Sequence, residues 1–88
     1  MRQFDISDSA LTEMLAIMEW YGRLKAERIE SAYLSLRHDL PRFPELGGLE
    51  GDGRTRVLHR AELYWVYEVL DDCVRVLGVL DPTQNLPR

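Results

Sequence analysis

Two nearly unbroken apolar runs, Leu63-Tyr64-Trp65-Val66-Tyr67-Glu68-Val69-Leu70 and Cys73-Val74-Arg75-Val76-Leu77-Gly78-Val79-Leu80, flank Asp71-Asp72. Runs rich in β-branched and aromatic residues, parted by two turn-forming residues, favour antiparallel pairing through a tight connection, although Asp-Asp is a weaker turn signal than Asp-Gly. The stretch therefore reads as a β-hairpin. Side chains alternate across a strand, which puts Leu63, Trp65, Tyr67 and Val69 on one face and Tyr64, Val66 and Leu70 on the other. Both faces are apolar enough to want cover. A chain of 88 residues has too little helix to shield both sides of a sheet, so an uncovered apolar face is expected to meet a protein partner.

Working outward, Arg54 to about His59 reads as a further strand entering the sheet ahead of the hairpin. Before it, Pro41 and Pro44 halt helical propagation, and Gly47, Gly48, Gly51 and Gly53 mark a loop. Upstream lie two amphipathic helices. The first follows N-cap oxygens at Ser7, Asp8 and Ser9 and carries a stripe of Ala10, Met14, Ile17, Tyr21 and Leu24, widened by Leu11 and Met18. Gly22-Arg23 breaks it, and the second helix carries Ile29, Ala32 or Tyr33, Leu36 and Leu40 at three- and four-residue spacing. A link this short makes an antiparallel helical hairpin. Arg2 to Ile6 is a short strand ahead of both helices, with Phe4 and Ile6 on one face. The expected fold class is α+β, ordered β-α-α-β-β-β, an antiparallel sheet with the helical hairpin packed on one face, forming one domain over residues 1–88. Asp81-Pro82 ends the last strand, and Thr83 to Arg88 is a polar tail.

Size and composition narrow the function. A domain this small buries roughly 60–70% of its unfolded surface, so a partner can matter to its stability. The apolar fraction of 45% and the clear periodicities argue for a folded globule. No apolar run approaches the ~20 residues of a membrane span, and the amino terminus lacks a basic segment with an apolar export core, so a cytoplasmic location is expected. Cys73 is the only cysteine, which leaves no intramolecular disulfide and no cysteine zinc cluster; on a valine-flanked strand it reads as a small buried hydrophobe. A net charge of −4 disfavours direct nucleic-acid binding as a main task. Among the cations arginine dominates, with Lys25 the lone lysine, and guanidinium groups suit forked contacts to carboxylates or phosphates.

The pattern as a whole resembles the RelE/ParE superfamily of toxins from bacterial type II toxin–antitoxin pairs, and within it the ParE branch. The resemblance spans almost the whole chain. It rests on Ser7-x-x-Ala10-x-x-Glu13-Met14-x-x-Ile17-x-x-x-Tyr21 and on Leu36-x-x-x-Leu40-x-x-Phe43-Pro44-Glu45-Leu46-Gly47. It continues through Gly53-x-x-Arg56-x-Leu58, Tyr64-x-Val66-Tyr67-x-Val69 and Val74-x-Val76-Leu77-x-Val79-Leu80. The resemblance implies a small intracellular protein neutralised by a cognate antitoxin whose carboxyl-terminal segment wraps over it, with growth arrest and plasmid maintenance as the associated roles. ParE-like members poison DNA gyrase by binding, whereas RelE-like members cleave messenger RNA in the ribosome, and fold alone does not choose between them. One departure stands out. Where many relatives carry a histidine after the last strand, this chain has Asp81-Pro82, which leaves room for a third reading, an antitoxin-binding module without toxicity.

The residues expected to contact target or antitoxin are Arg54, Arg56, His59, Arg60, Tyr67 and Arg75. The first four form a local basic patch with no acid among them, Arg54, Arg56 and Arg60 sharing one side of a regular strand and His59 the other; the bland alternative is a charged edge strand that discourages aggregation. Arg56 also sits on the family motif. Arg75 joins Cys73, Leu77 and Val79 on one face if alternation is regular, and either pairs with Glu68 across the hairpin or waits for an antitoxin carboxylate. Tyr67 matches the family tyrosine and reads as a core aromatic with one polar contact. His59 with Arg56 and Arg60 sketches a ribonuclease set, yet no second acid–base group lies nearby in sequence, and His38 falls on a helix surface. No catalytic residue is assigned. His38-Asp39 and Asp71-Asp72 lack companions at ligand spacing, and the glycine-rich loop lacks a phosphate loop's lysine, so no metal or cofactor is expected.

Overall fold

In the computed structural model, which describes residues 1–83, the elements are β1 (Gln3–Ile6), α1 (Asp8–Tyr21), α2 (Arg23–Asp39), β2 (Gly48–Leu49), β3 (Thr55–Arg60), β4 (Leu63–Val69) and β5 (Cys73–Leu80). The α+β layout and the order of its main elements agree with the sequence reading. The glycine-rich loop adds the two-residue β2. The sheet order is β1-β5-β4-β3-β2, antiparallel from β2 to β5, while β1 joins β5 in parallel, so the sheet is mixed. The connection that this parallel pairing requires runs through both helices and then back along β2, β3 and β4. The polar tail expected from Thr83 onward lies outside the described residues beyond Thr83 itself.

Local chemistry sets the helix ends. The Ser7 hydroxyl accepts from the Ala10 N–H at 3.1 Å and caps α1, and Gly22, at φ 84°, ends it with its N–H donating to the Met18 carbonyl. That backbone conformation favours glycine. The break also resets the helical phase. Leu24, expected on the first stripe, starts α2 facing outward and is 80% exposed. Ile29, Ala32, Leu36 and Leu40 are buried as expected, with Tyr33 meeting Phe4 edge to face at 5.7 Å.

Leu63, Trp65 and Tyr67 are fully buried and face the helices together with Val74, Val76 and Val79, packing on Ala10, Met14 and Ile17. The hairpin closes through Leu70 N–H to the Cys73 carbonyl at 2.8 Å. One expectation fails on β5. Val66 stands opposite Gly78 but Tyr67 opposite Val76, so Leu77 is an extra residue, a β-bulge. The bulge reverses the alternation beyond it and turns Val79 into the core rather than onto the face of Cys73 and Arg75.

β1 stops at Ile6, leaving the end of β5 without a strand on that side. There α1 covers the edge: the Glu13 carboxylate accepts from Val79 N–H at 3.0 Å and the Ser7 hydroxyl reaches the Leu77 carbonyl at 3.4 Å. Unpaired strand edges invite unwanted pairing, and side chains blunt this one. Among the described residues no helix is long and apolar enough to cross a membrane.

Candidate partner-binding surfaces

The register of β3 on β4 decides which way its residues point. Arg56 pairs with Tyr67 and Arg60 with Leu63, both core residues, so these two arginines lie on the helix side of the sheet. His59 pairs with Tyr64 on the far side, where the rings lie 5.0 Å apart. Arg54 precedes the strand. The basic patch is thus dispersed, and acids from elsewhere in the chain meet it. Arg54 reaches Glu68 at 3.4 Å, and Arg60 donates to the Ser35 hydroxyl at 2.8 Å and to Asp39 at 3.3 Å. Asp39 also bonds His38 at 3.0 Å, and that contact, ahead of Arg60, draws its pKa below the ordinary carboxylate value.

Arg56 and Tyr67 meet at one loop. The Tyr67 hydroxyl accepts from Gly47 N–H at 2.7 Å and donates to the Pro44 carbonyl at 2.8 Å, and Arg56 Nη1 donates to the Gly47 carbonyl at 2.7 Å. A side chain at position 47 has no room: a Cβ would stand 2.8 Å from the Val57 carbonyl oxygen and 2.9 Å from the Tyr67 ring. Burial pushes the Tyr67 phenol pKa up, opposed by the Gly47 N–H and the Arg56 charge. The segment Phe43-Pro44-Glu45-Leu46-Gly47 is therefore bound to the sheet by both residues.

Arg75 takes a partner the hairpin reading missed. Its Nε donates to the Asp5 carboxylate at 2.8 Å, across the parallel β1–β5 pair, while Glu68, opposite it in register, serves Arg54. The Arg75 contact lowers the Asp5 pKa and raises that of Arg75. Around this pair the far face of the sheet carries Val57, Tyr64, Val66 and Cys73, partly exposed and with no helix over them; Tyr64 is 40% exposed.

For ribonuclease chemistry, His59 is separated from Arg56 and Arg60 by the sheet itself, and His38 sits exposed against Asp39. Among the described residues no three His, Cys, Asp or Glu side chains are grouped to hold a metal ion. Asp81 accepts from the Tyr21 hydroxyl at 2.5 Å and from Thr83 N–H at 2.9 Å, fastening the end of β5 to the helical hairpin. Two features had no signal in the single sequence. One is an open groove of about 850 Å³ between α2 and the β3–β4 turn, flanked by Arg28, Ala32 and Ala61. The other is the exposure of Phe43 and Leu46 on the anchored loop.

No family model and no curated protein matches the chain by sequence. Solved structures do match by shape. A chain of the chromosomal ParDE toxin–antitoxin system from P. aeruginosa superposes with a TM-score of 0.65 at 13% identity, over 92% of this chain and 96% of that one. The conserved hypothetical protein HP0894 from Helicobacter pylori gives 0.65 at 17% identity, over 98% and 100%. The helical hairpin on one face of a mixed five-stranded sheet is accordingly a RelE/ParE-like fold, shared with these proteins over nearly their whole length.

Proposed function

We propose that this chain, a single cytoplasmic domain, is the toxin of a type II toxin–antitoxin pair, neutralised by a cognate antitoxin laid over the far face of the sheet and acting on DNA gyrase by binding alone. The observation that carries the reading is the uncovered apolar face of Val57, Tyr64 and Val66 on a fold shared with a ParDE system. A segment that folds on binding covers such a face efficiently. His59 and Arg75 border that face and are assigned to antitoxin contact, Arg54 and Glu68 to its rim, and Arg56, Tyr67 and Arg60 to holding the surrounding structure in place. Binding without chemistry is supported by the separation of His59 from the arginines.

The test is induction with and without the antitoxin, reading DNA breaks and messenger RNA integrity separately. Growth arrest with gyrase-dependent breaks, relieved by the antitoxin, is the expected result. Cleaved messenger RNA would replace the binding mechanism with a nuclease. No arrest, with antitoxin still bound, would leave a non-toxic binding module.

A further inference from the structure

The loop after α2 is stiff and yet turns apolar side chains to water. Upstream, Arg42 N–H and Phe43 N–H both donate to the Asp39 carbonyl, at 3.0 and 2.7 Å, and Leu46 N–H donates to the Phe43 carbonyl at 3.1 Å. Downstream, Tyr67 and Arg56 hold Pro44 and Gly47 as described above. Despite these restraints Phe43 is 61% and Leu46 44% exposed. They flank a recess of about 470 Å³ lined also by Arg42, Pro44 and Glu45. Arg42 is partly engaged, donating to the His38 carbonyl at 2.8 Å. Glu45 is exposed and enters no ion pair among the described residues.

An apolar recess with a charged rim, on backbone already ordered, has the anatomy of an interface hot spot: its side chains lose little freedom on binding and its polar rim selects the partner. We propose that the Phe43–Leu46 loop docks the folded cellular target, receiving an apolar side chain that stands beside a lysine or arginine which pairs with Glu45. A rigid, local recess suits a folded surface, whereas the broad sheet face suits a wrapping segment. This rests on the toxin reading, and on the antitoxin occupying the sheet.

The test compares induced wild type with Phe43→Ser/Leu46→Ser, Glu45→Lys and Leu34→Ser. Leu34 is an exposed leucine on α2 and serves as the control for lost surface apolarity. All are expressed at equal level, and thermal melts and size-exclusion elution are recorded. The expected result is at least tenfold loss of growth arrest in the double variant and a clear loss in Glu45→Lys, with Leu34→Ser like wild type. Should the double variant melt early, Glu45→Lys decides. Full arrest by folded loop variants would overturn the loop assignment while leaving the toxin reading intact, as would equal loss in Leu34→Ser. A wild-type dimer that the double variant dissolves would overturn it in favour of self-association. A wild type that arrests nothing would overturn the toxin reading and, with it, this site.

Discussion

The two faces of the sheet use the same kinds of residue to opposite ends. On the helix side, Trp65 and Tyr67 are fully buried and their polar atoms are satisfied, the indole donating to the Arg60 carbonyl at 3.0 Å and the phenol bridging Pro44 and Gly47. On the far side, Tyr64 and His59 lie against each other in partial contact with water, and Arg75 holds Asp5 in an exposed pair. Stability is concentrated on one face, and surface available for recognition is left on the other. Position in the register, more than residue type, assigns each side chain to one task.

The contrast is sharpest for Trp65 and its neighbour Val66. Trp65→Ala is expected to cost about 3–5 kcal/mol, against about 1 kcal/mol for Val66→Ala, measured by denaturant unfolding. Comparable losses would mean that the far face is also a core. Next in size is Tyr67→Phe, which strands the buried Gly47 N–H and should cost about 1–3 kcal/mol; hydrogen exchange at Gly47 should accelerate. A smaller change of opposite sign concerns the β3–β4 turn, where Ala61 and Glu62 have φ of 54° and 63°. The turn lacks the glycine or asparagine this conformation favours, so Ala61→Gly should raise stability by about 1 kcal/mol or less, seen as a higher melting temperature.

The smallest effect is one of pH. Asp52 has its pKa lowered from 3.8 to about 2, first by the Thr55 hydroxyl and then by the backbone N–H groups of Thr55 and Arg54. Its depressed folded-state pKa means that its stabilisation is present above the unfolded value and lost as pH falls through about 2. Carboxyl-carbon NMR should find that titration, and Asp52→Ala should flatten the acid limb of stability. A midpoint near 3.8 would show that the loop imposes no order on this side chain.

Much of this is legible in the residues. The α2 stripe of Ile29, Ala32, Leu36 and Leu40 follows from helical spacing, and the inward set Leu63, Trp65 and Tyr67 from strand alternation. The Leu77 bulge is not, because every residue around it is apolar and an inserted one changes no pattern. Arg75 and Glu68 look like partners since the hairpin brings them level; Asp5 lies beside Arg75 only because β1 enters in parallel, which local periodicity does not encode. The candidate site is less legible. Arg54, Arg56, His59 and Arg60 look like one cluster in the chain, but alternation sends His59 away, and Ser35, Asp39, Gly47 and Glu68 engage the arginines from distant positions. Phe43 and Leu46 give no sign of exposure, since anchoring by Tyr67 twenty residues away from Gly47 is a tertiary fact.

The pairing of β1 with β5 alone also sets a timetable. Gln3 aligns with Cys73 and Ile6 with Val76, so β1 has no partner until β5 has left the ribosome. Chain growth proceeds at about 5–20 residues per second, and for several seconds the helical hairpin exists without the surface it packs on. Distant pairings of this kind slow folding because the chain must close a long loop before any contact rewards it. The five-stranded sheet, and whatever its far face recognises, therefore comes into being only once β5 has been made.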